Sequence, residues 1–180
     1  MNFARDPLTN IVFSGIKEPI RLLIENGYYF AALAMTYSGI DAMAYLGIPA
    51  SKHEVKSPDF IAWCDQYLDF SCPNQPDGVE WWGARCGVLH THSGMSSRSR
   101  SGQARLIHYA DRCEPPIMSD PDNDGGLVIV SIHHLVSAFF DGIDRYLVQL
   151  FADKEKALVA EERLQNMLVV GGVNHDEKTA

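Results

Sequence analysis

The chain has 180 residues, of which 46% are hydrophobic and 10% aromatic, and its formal net charge at pH 7 is −8. This length suits one domain, and the apolar content is sufficient for a hydrophobic core that makes the fold stable without a disulfide or a metal. The negative charge argues against indiscriminate nucleic-acid binding, because phosphates repel an acidic surface, but it does not exclude a local cationic site.

The first part of the chain predicts two helices. Apolar residues spaced at helical intervals predict a short helix over Ile16–Asn26, with Gly27 at its end. A longer apolar segment, Tyr28–Leu46, predicts a central helix that packs on several sides. Asp41 lies near the middle of this segment and would cost about 2.5–3.5 kcal/mol in a bilayer, so we expect a core helix and no membrane association.

Two start signals predict the next helices. Ser57 as N-cap, followed by Pro58, predicts a helix that runs to about Phe70. Asp77 and Glu80 have the spacing of a capping box, which predicts a fourth helix from residue 78. This helix would carry Trp81, Trp82, Arg85, Leu89 and His90.

The second half of the chain predicts a small β insertion between helices. The serine-rich segment Ser93–Gln103 predicts a surface loop. Strand-like runs at Arg105–Ala110 and Leu127–Ile132 are predicted to pair as an antiparallel hairpin with a long loop. Two further helices are predicted at His133–Phe151 and Asp153–Val169.

These elements predict a mainly α fold, a helical bundle with a small antiparallel β-hairpin insertion. We expect residues 1–170 to form a single helical domain and residues 171–180 to form a flexible tail. The first ten residues lack the apolar segment of a secretory leader, which predicts a cytoplasmic protein with reduced thiols. Its four cysteines, none in a CxxC pair, are Cys64, Cys72, Cys86 and Cys113.

The segment Trp81–Ala110 differs in charge from the rest of the chain. It contains four arginines and no acidic residue, so it carries a formal +4 while the remainder carries −12. Such a segment is the best candidate for recognising a polyanion. Its basic residues are Arg85, Arg98, Arg100 and Arg105, together with His90, His92 and His108.

Within this segment, Arg85 and His90 are separated by four residues. Arginine is a permanent cation that can grip phosphate oxygens, and histidine can transfer a proton near neutral pH. RNA can be cut without a metal when its own 2′-hydroxyl attacks the adjacent phosphorus, a reaction that needs a base and a cation. His90 would serve as general acid or base, and Arg85 would bind the phosphate.

The spacing also poses a geometric question. Five residues along an ideal helix turn about 500°, which places the side chains of Arg85 and His90 roughly 140° apart. The two groups can meet if the helix is distorted or ends near Gly87, if the long arginine side chain reaches around, or if a two-fold dimer brings two copies together.

An Arg-x-x-x-x-His motif late in a set of helices resembles the HEPN superfamily, whose members are small helical dimers and in many cases metal-independent endoribonucleases. The resemblance covers the helical order from about Ile16 to Leu150. It implies a HEPN-like helical bundle that forms a homodimer. It also implies that the protein acts on RNA in toxin or defence systems and is controlled by an antitoxin or other regulatory protein. It implies no metal and no cofactor. It also implies an acid and a small hydroxyl on an earlier helix that support the arginine, and Asp41 and Ser38 fit because residues three apart share a helix face.

Other interpretations stay open at several positions. Arg85 could pair with Asp41 only to lock two helices together, and His90 could bond backbone carbonyls at a helix end. Cys86, His90 and His92 could bind a metal, but the local sequence offers no fourth ligand. His92 could also be a solvent-facing neighbour with no role in RNA binding.

The arginines that follow the motif could form a basic lip for RNA. We predict that His92, Arg98, Arg100 and Arg105 bind RNA, although the serine-rich segment could equally be a solvated loop. HEPN proteins commonly have a polar residue directly after the arginine, where this chain has Cys86. That difference favours two alternatives, a non-catalytic module that binds RNA or nucleotides and a purely structural helical dimer.

Overall fold

The structure is a computed structural model, and it describes residues 7–93, 97–120 and 126–167, with the backbone alone at residues 97 and 98. Over these ranges the protein is mainly helical and contains a small three-stranded sheet. None of the helices in this part of the chain combines the length and apolarity needed to cross a membrane. The four cysteines are free thiols, as predicted. The tail predicted at residues 171–180 lies outside the described residues.

Helix α2 was predicted to within one residue, and α1 continues an earlier helical segment that the apolar spacing did not predict. A π-helix, Thr9–Lys17, leads directly into α1, and Gly27 adopts a φ of +74° just beyond the end of α1. The helices are α1 (Glu18–Glu25), α2 (Tyr29–Gly47), α3 (Ser57–Tyr67), α4 (Gly78–Thr91), α5 (Ser97–Arg100), α6 (Ile132–Ala152) and α7 (Lys154–Asn166).

The N-terminus of α4 confirms the predicted capping box, whereas that of α3 corrects the prediction. Asp77 accepts the backbone N–H of Glu80 at 2.9 Å, and the Glu80 carboxylate accepts that of Asp77 at 3.0 Å. In α3 the N-cap is Lys56, and its N–H donates to Asp59 at 3.1 Å. The carboxylate of Asp59, three positions after Lys56, accepts the backbone N–H of this N-cap residue. The helix therefore begins one residue earlier than predicted, and Ser57 is its first residue.

The predicted antiparallel pairing of the two strand-like runs is wrong. Strand β3 (Leu127–Ser131) is central and runs parallel to β1 (Leu106–Ala110) and antiparallel to β2 (Ile117–Ser119). The segment between β1 and β3, predicted as a long loop, contains β2. Strand β2 pairs with one side of β3 and β1 with the other, so β1 and β2 are the two edge strands. The serine-rich segment was also predicted to lack regular structure, but it contains α5.

Helix α2 is the centre of the bundle and determines where the site lies. It contacts α1, α3, α4, α6 and α7. At Gly39 a Cβ atom would lie 2.7 Å from Cζ of Phe139, so this glycine permits the close approach of α2 and α6. On the side of α2 that contacts α4, Asp41 is partly exposed, and it is the acidic residue that this helix contributes to the contact.

Candidate active site at the contact of α2 and α4

An ion pair joins α2 to α4 at the position of the Arg-x-x-x-x-His motif. Nε and Nη2 of Arg85 both donate to Oδ2 of Asp41, at 3.0 and 2.8 Å. The guanidinium also lies 4.9 Å from the ring centre of Trp82, one turn earlier on α4. The Arg85 and Asp41 side chains are 18% and 23% exposed, so the pair is largely but not fully removed from solvent. The predicted pairing of the arginine with the buried aspartate is therefore present.

His90 meets Arg85 within the same chain. Nη1 of Arg85 lies 3.1 Å from Nε2 of His90, although the two residues are five apart on a continuous helix. The long arginine side chain spans the angle, so neither helix distortion nor a second chain is needed. Arginine can only donate, hence Nε2 accepts, and this contact requires the neutral imidazole with its proton on Nδ1. The contact lies on the exposed side of α4, where His90 is open to solvent.

The environment of Asp41 shows what the ion pair contributes. Burial raises the pKa of the Asp41 carboxyl, and the hydrogen bonds and positive charge of Arg85 offset this only in part, so the pKa stays above its usual range. A carboxyl with a raised pKa costs folding free energy when it is ionised at neutral pH. The Asp41 carboxylate thus supplies orientation to the guanidinium more than net stability.

The other two residues predicted near the motif lie close to it but do not bond to it. Ser38 is exposed on α2, one turn before Asp41, and in the described part of the chain Arg85 bonds to Asp41 and His90 and not to Ser38. His92 ends α4 in a left-handed conformation, with φ of 51°. Its ring stacks on the exposed Phe30 of α2, with ring centres 4.5 Å apart. The two stacked rings are exposed, and they lie at the C-terminal end of α4, two residues beyond His90 in the chain.

Two of the predicted RNA-binding arginines lie on α5, which contacts the end of α4 that carries His90. Arg100 is exposed there. Arg98 belongs to the same helix, but its side chain lies outside the part of the structure that is described. Both positions therefore lie on a short helix that follows α4 in the chain and contacts it.

Arg105 is engaged in an internal ion pair, so the structure favours a structural role over the predicted RNA contact. Nη2 donates to Oε2 of Glu80 at 2.8 Å, and Nε donates to Oε1. The remaining donors reach the backbone carbonyls of Asn74 and Gln75. Glu80 lies just outside the acid-free segment, and Asp41 lies far outside it. Two of the four arginines are thus neutralised by partners that a local charge count omits.

The Glu80–Arg105 pair leads to a prediction about pH. Burial raises the pKa of Glu80, but the hydrogen bonds from Arg105 and Asp77 outweigh it, and the pKa falls below its usual value of 4.5. A lowered carboxyl pKa adds stability that is present above the unfolded value and is lost as pH falls through the folded value. We expect Glu80→Gln to lower the free energy of unfolding by about 2–3 kcal/mol at pH 7, discounted for the partly exposed arginine.

The difference in the free energy of unfolding between the wild type and Glu80→Gln should shrink as the pH is lowered from about 4.5 towards 3. At low pH the Glu80 carboxylate of the wild type becomes protonated and loses its ion pair with Arg105. Urea denaturation at pH 7, 5, 4 and 3 measures it. The exposed Glu161 on α7 provides the control, since Glu161→Gln should change stability little at any pH. An equal deficit for Glu80→Gln at every pH would contradict the prediction.

A second group of polar side chains lies outside the motif. Nε2 of His133, at the start of α6, lies 2.9 Å from Oδ1 of Asp111, which also receives a hydrogen bond from Tyr29. Arg21 and Arg112 line the same surface cleft of about 660 Å³. His133 lies at the start of α6, as predicted, and its side chain is held there by Asp111. This histidine is a useful control for His90 because it too is paired with a charged side chain.

Sequence reasoning missed two contacts of the site. The capping box identified Glu80 as a helix-capping residue, but nothing in its spacing indicated that the same carboxylate would hold Arg105. Trp82 was predicted on the same helix as Arg85, but its contact with the guanidinium was not predicted, although residues three apart on a helix are neighbours. Among the described residues there is no group of three side chains suited to a metal ion.

Comparison with protein-family models, with curated proteins and with solved structures gives no match for this chain.

Proposed function

We propose that this protein is a metal-independent endoribonuclease in which Arg85 binds the phosphate and His90 transfers the proton. The observation that carries the proposal is the 3.1 Å contact between Nη1 of Arg85 and Nε2 of His90 on the exposed side of α4. A cation and an imidazole held this close can act on one phosphodiester. Asp41 fixes the guanidinium from the opposite helix and so limits the orientations it can take.

The guanidinium retains capacity for a substrate. Arginine has five N–H groups, and three of those on Arg85 are engaged by Asp41 and His90, which leaves two for phosphate oxygens. These donors would stabilise the charge that develops on the non-bridging oxygens in the transition state. Phe30 and His92 provide a surface on which an unpaired base could stack.

The contact between Arg85 and His90 suggests an order of events. In the free protein the lone pair of Nε2 of His90 is occupied by an N–H of Arg85. A phosphate oxygen that takes over this N–H leaves Nε2 free to accept the proton of the RNA 2′-hydroxyl. The 2′-oxygen then forms a bond to phosphorus, the bond from phosphorus to the 5′-oxygen breaks, and water protonates the leaving 5′-oxygen. The products are a 2′,3′-cyclic phosphate and a 5′-hydroxyl.

A homodimer belongs to this proposal. The outer surface of α2 and α4 around the motif includes partly exposed apolar or small side chains beside the exposed Ser38. A two-fold axis along this surface would place two copies of the motif on either side of one RNA strand. The small or apolar residues concerned are Ala34, Met35, Ala42, Cys86 and Leu89.

The test is cleavage of a structured RNA by the purified protein in EDTA. We expect the wild type to release fragments ending in a 2′,3′-cyclic phosphate and His90→Ala to be slower by about 10²–10⁴-fold, the usual contribution of general acid–base catalysis. His133→Ala serves as the matched control and should retain the wild-type rate. Cleavage that requires Mg²⁺, or that survives in His90→Ala, would contradict the proposal.

A second candidate function is an RNA-binding module without turnover. Its support is that Arg85, held by Asp41, keeps two N–H groups for a phosphate, while Cys86 follows it where a polar residue is common in HEPN proteins. The same assay separates the two functions when RNA binding is measured alongside cleavage. Salt-dependent binding without cleavage by the wild type and by His90→Ala favours the module, and absence of both favours a structural dimer.

A further inference from the structure

A small cleft lies at the C-terminal end of α2, and no residue of the proposed active site lines it. It occupies about 270 Å³ between the C-terminal end of α2, one face of α3 and the second half of α6. Three aromatic side chains, Trp63, Tyr67 and Tyr146, provide much of its wall. Their rings pack edge to face or tilted, with centres 5.1–6.0 Å apart. A wall of this kind suits a flat apolar body.

Two polar atoms in this wall have no hydrogen-bond partner. They are Nε1 of Trp63 and Oη of Tyr146, both buried, in residues that are 4% and 6% exposed. A buried donor without a partner costs about 1–3 kcal/mol, so most native proteins provide one. The indole nitrogen can only donate, and the phenol can also donate, so an acceptor oxygen would satisfy both.

The neighbouring charges favour an acceptor that is negative. Arg163 of α7 is buried, and its guanidinium donates to backbone carbonyls, including those of Tyr45 and Pro49 at 2.7 and 2.9 Å. No carboxylate in the described part of the chain forms an ion pair with it. Its charge acts on the Tyr146 hydroxyl, since it opposes the rise in pKa that burial causes. Two other charged residues line the cleft, and each has a partner: Lys156 lies 3.7 Å from Asp153, and Asp59 is paired with Lys52 at 2.7 Å. These pairs cancel, so the charge of Arg163 remains.

We propose that this cleft binds a small organic carboxylate with a flat apolar body, whose carboxylate accepts hydrogen bonds from Nε1 of Trp63 and Oη of Tyr146. The ring system of the ligand packs among the aromatic side chains, and the positive charge of the buried Arg163 favours the anion. Because the two donor atoms are buried, the cleft must widen for the carboxylate to reach them. The inference does not depend on the proposed nuclease activity.

The experiment is a titration of the full-length protein with benzoate, followed by the indole N–H signals in nitrogen–proton correlation spectra. The chain has three tryptophans, and single substitutions to phenylalanine assign their signals. We expect saturable movement of the Trp63 signal while those of Trp81 and Trp82 stay unchanged. Benzamide, which has the same shape without the charge, should bind at least about tenfold more weakly.

Two variants test the geometry. Tyr146→Phe removes an unpartnered hydroxyl and should weaken benzoate binding about tenfold or more while the protein stays folded. Ala62→Phe, on an exposed lining position of α3, should fill the cleft and abolish binding without removing a hydrogen bond. His90→Ala should bind benzoate like the wild type, which keeps this test separate from that of the nuclease. Absence of any Trp63 shift at about 10 mM benzoate would overturn the proposal. Wild-type affinity for benzoate in both cleft variants would overturn it as well.

Discussion

Replacing Arg85 with lysine is expected to slow RNA cleavage by about 10²–10³-fold, the usual loss when one preorganised donor to a developing negative charge is removed. The guanidinium bonds Asp41 and His90 at the same time and lies over the ring of Trp82, 4.9 Å from its centre. Lysine keeps the positive charge but has a compact ammonium that cannot provide this planar set of donors. The loss should appear in kcat more than in KM, because the missing contacts are those made in the transition state.

Single-turnover kinetics with the RNA in EDTA would measure this effect, and thermal unfolding of the same sample would show that the variant is folded. The control is Arg21→Lys, an exposed arginine on α1 that is also paired with a carboxylate, that of Glu18, and it should change the rate little. A wild-type rate for Arg85→Lys would show that charge alone is sufficient and would remove the geometric argument for catalysis. If neither the wild type nor Arg85→Lys cleaves RNA and the variant is less stable, the result would favour a structural role of the Asp41–Arg85 pair.

Replacing Arg163 with alanine is expected to lower the free energy of unfolding by about 3–5 kcal/mol. This buried guanidinium donates to the carbonyls of Tyr45, Leu46, Ile48, Pro49 and Lys52. It thereby satisfies the C-terminal end of α2 and the turn that follows, and it stacks on the ring of Tyr45 at 4.9 Å. Without it, carbonyls at the end of a central helix would be buried without partners.

Urea denaturation monitored by circular dichroism would measure the change. Arg145 is the matched control, because it is exposed and donates a single hydrogen bond, to the carbonyl of Tyr67 at 2.7 Å. Arg145→Ala should cost about 1 kcal/mol or less. Similar losses for the two variants would mean that the carbonyls at the end of α2 find other partners when Arg163 is absent.

The helices of this protein are largely readable from its sequence, because their signals are local. Asp77 and Glu80 determine where α4 begins, since each side chain reaches a backbone N–H only three residues away. The sheet was not readable in the same way. Strands of three to five residues carry no signal of direction, so the apolar runs could not show that β1 lies parallel to β3.

The residue types of the candidate site could be predicted from the sequence, but most of its side-chain contacts could not. The spacing of Arg85 and His90 identified a cation and an imidazole on one helix, and the apolar context of Asp41 predicted that it would need an arginine. The sequence could not show that one arginine would reach both, because that depends on side-chain conformation. It also could not show that Arg105 turns inward to Glu80, 25 residues away.

The sequence by itself determined the order of the helices, the start of α4 and the presence of an acid-free basic segment, since each follows from residues within a few positions of one another. Only the tertiary structure decided which of those basic side chains stay available to a ligand. Helix packing brings Asp41 to Arg85 and Glu80 to Arg105, and it leaves Arg163 among carbonyls 111 to 118 residues away. Partners so distant along the chain are selected by the geometry of packed helices, which no local pattern encodes.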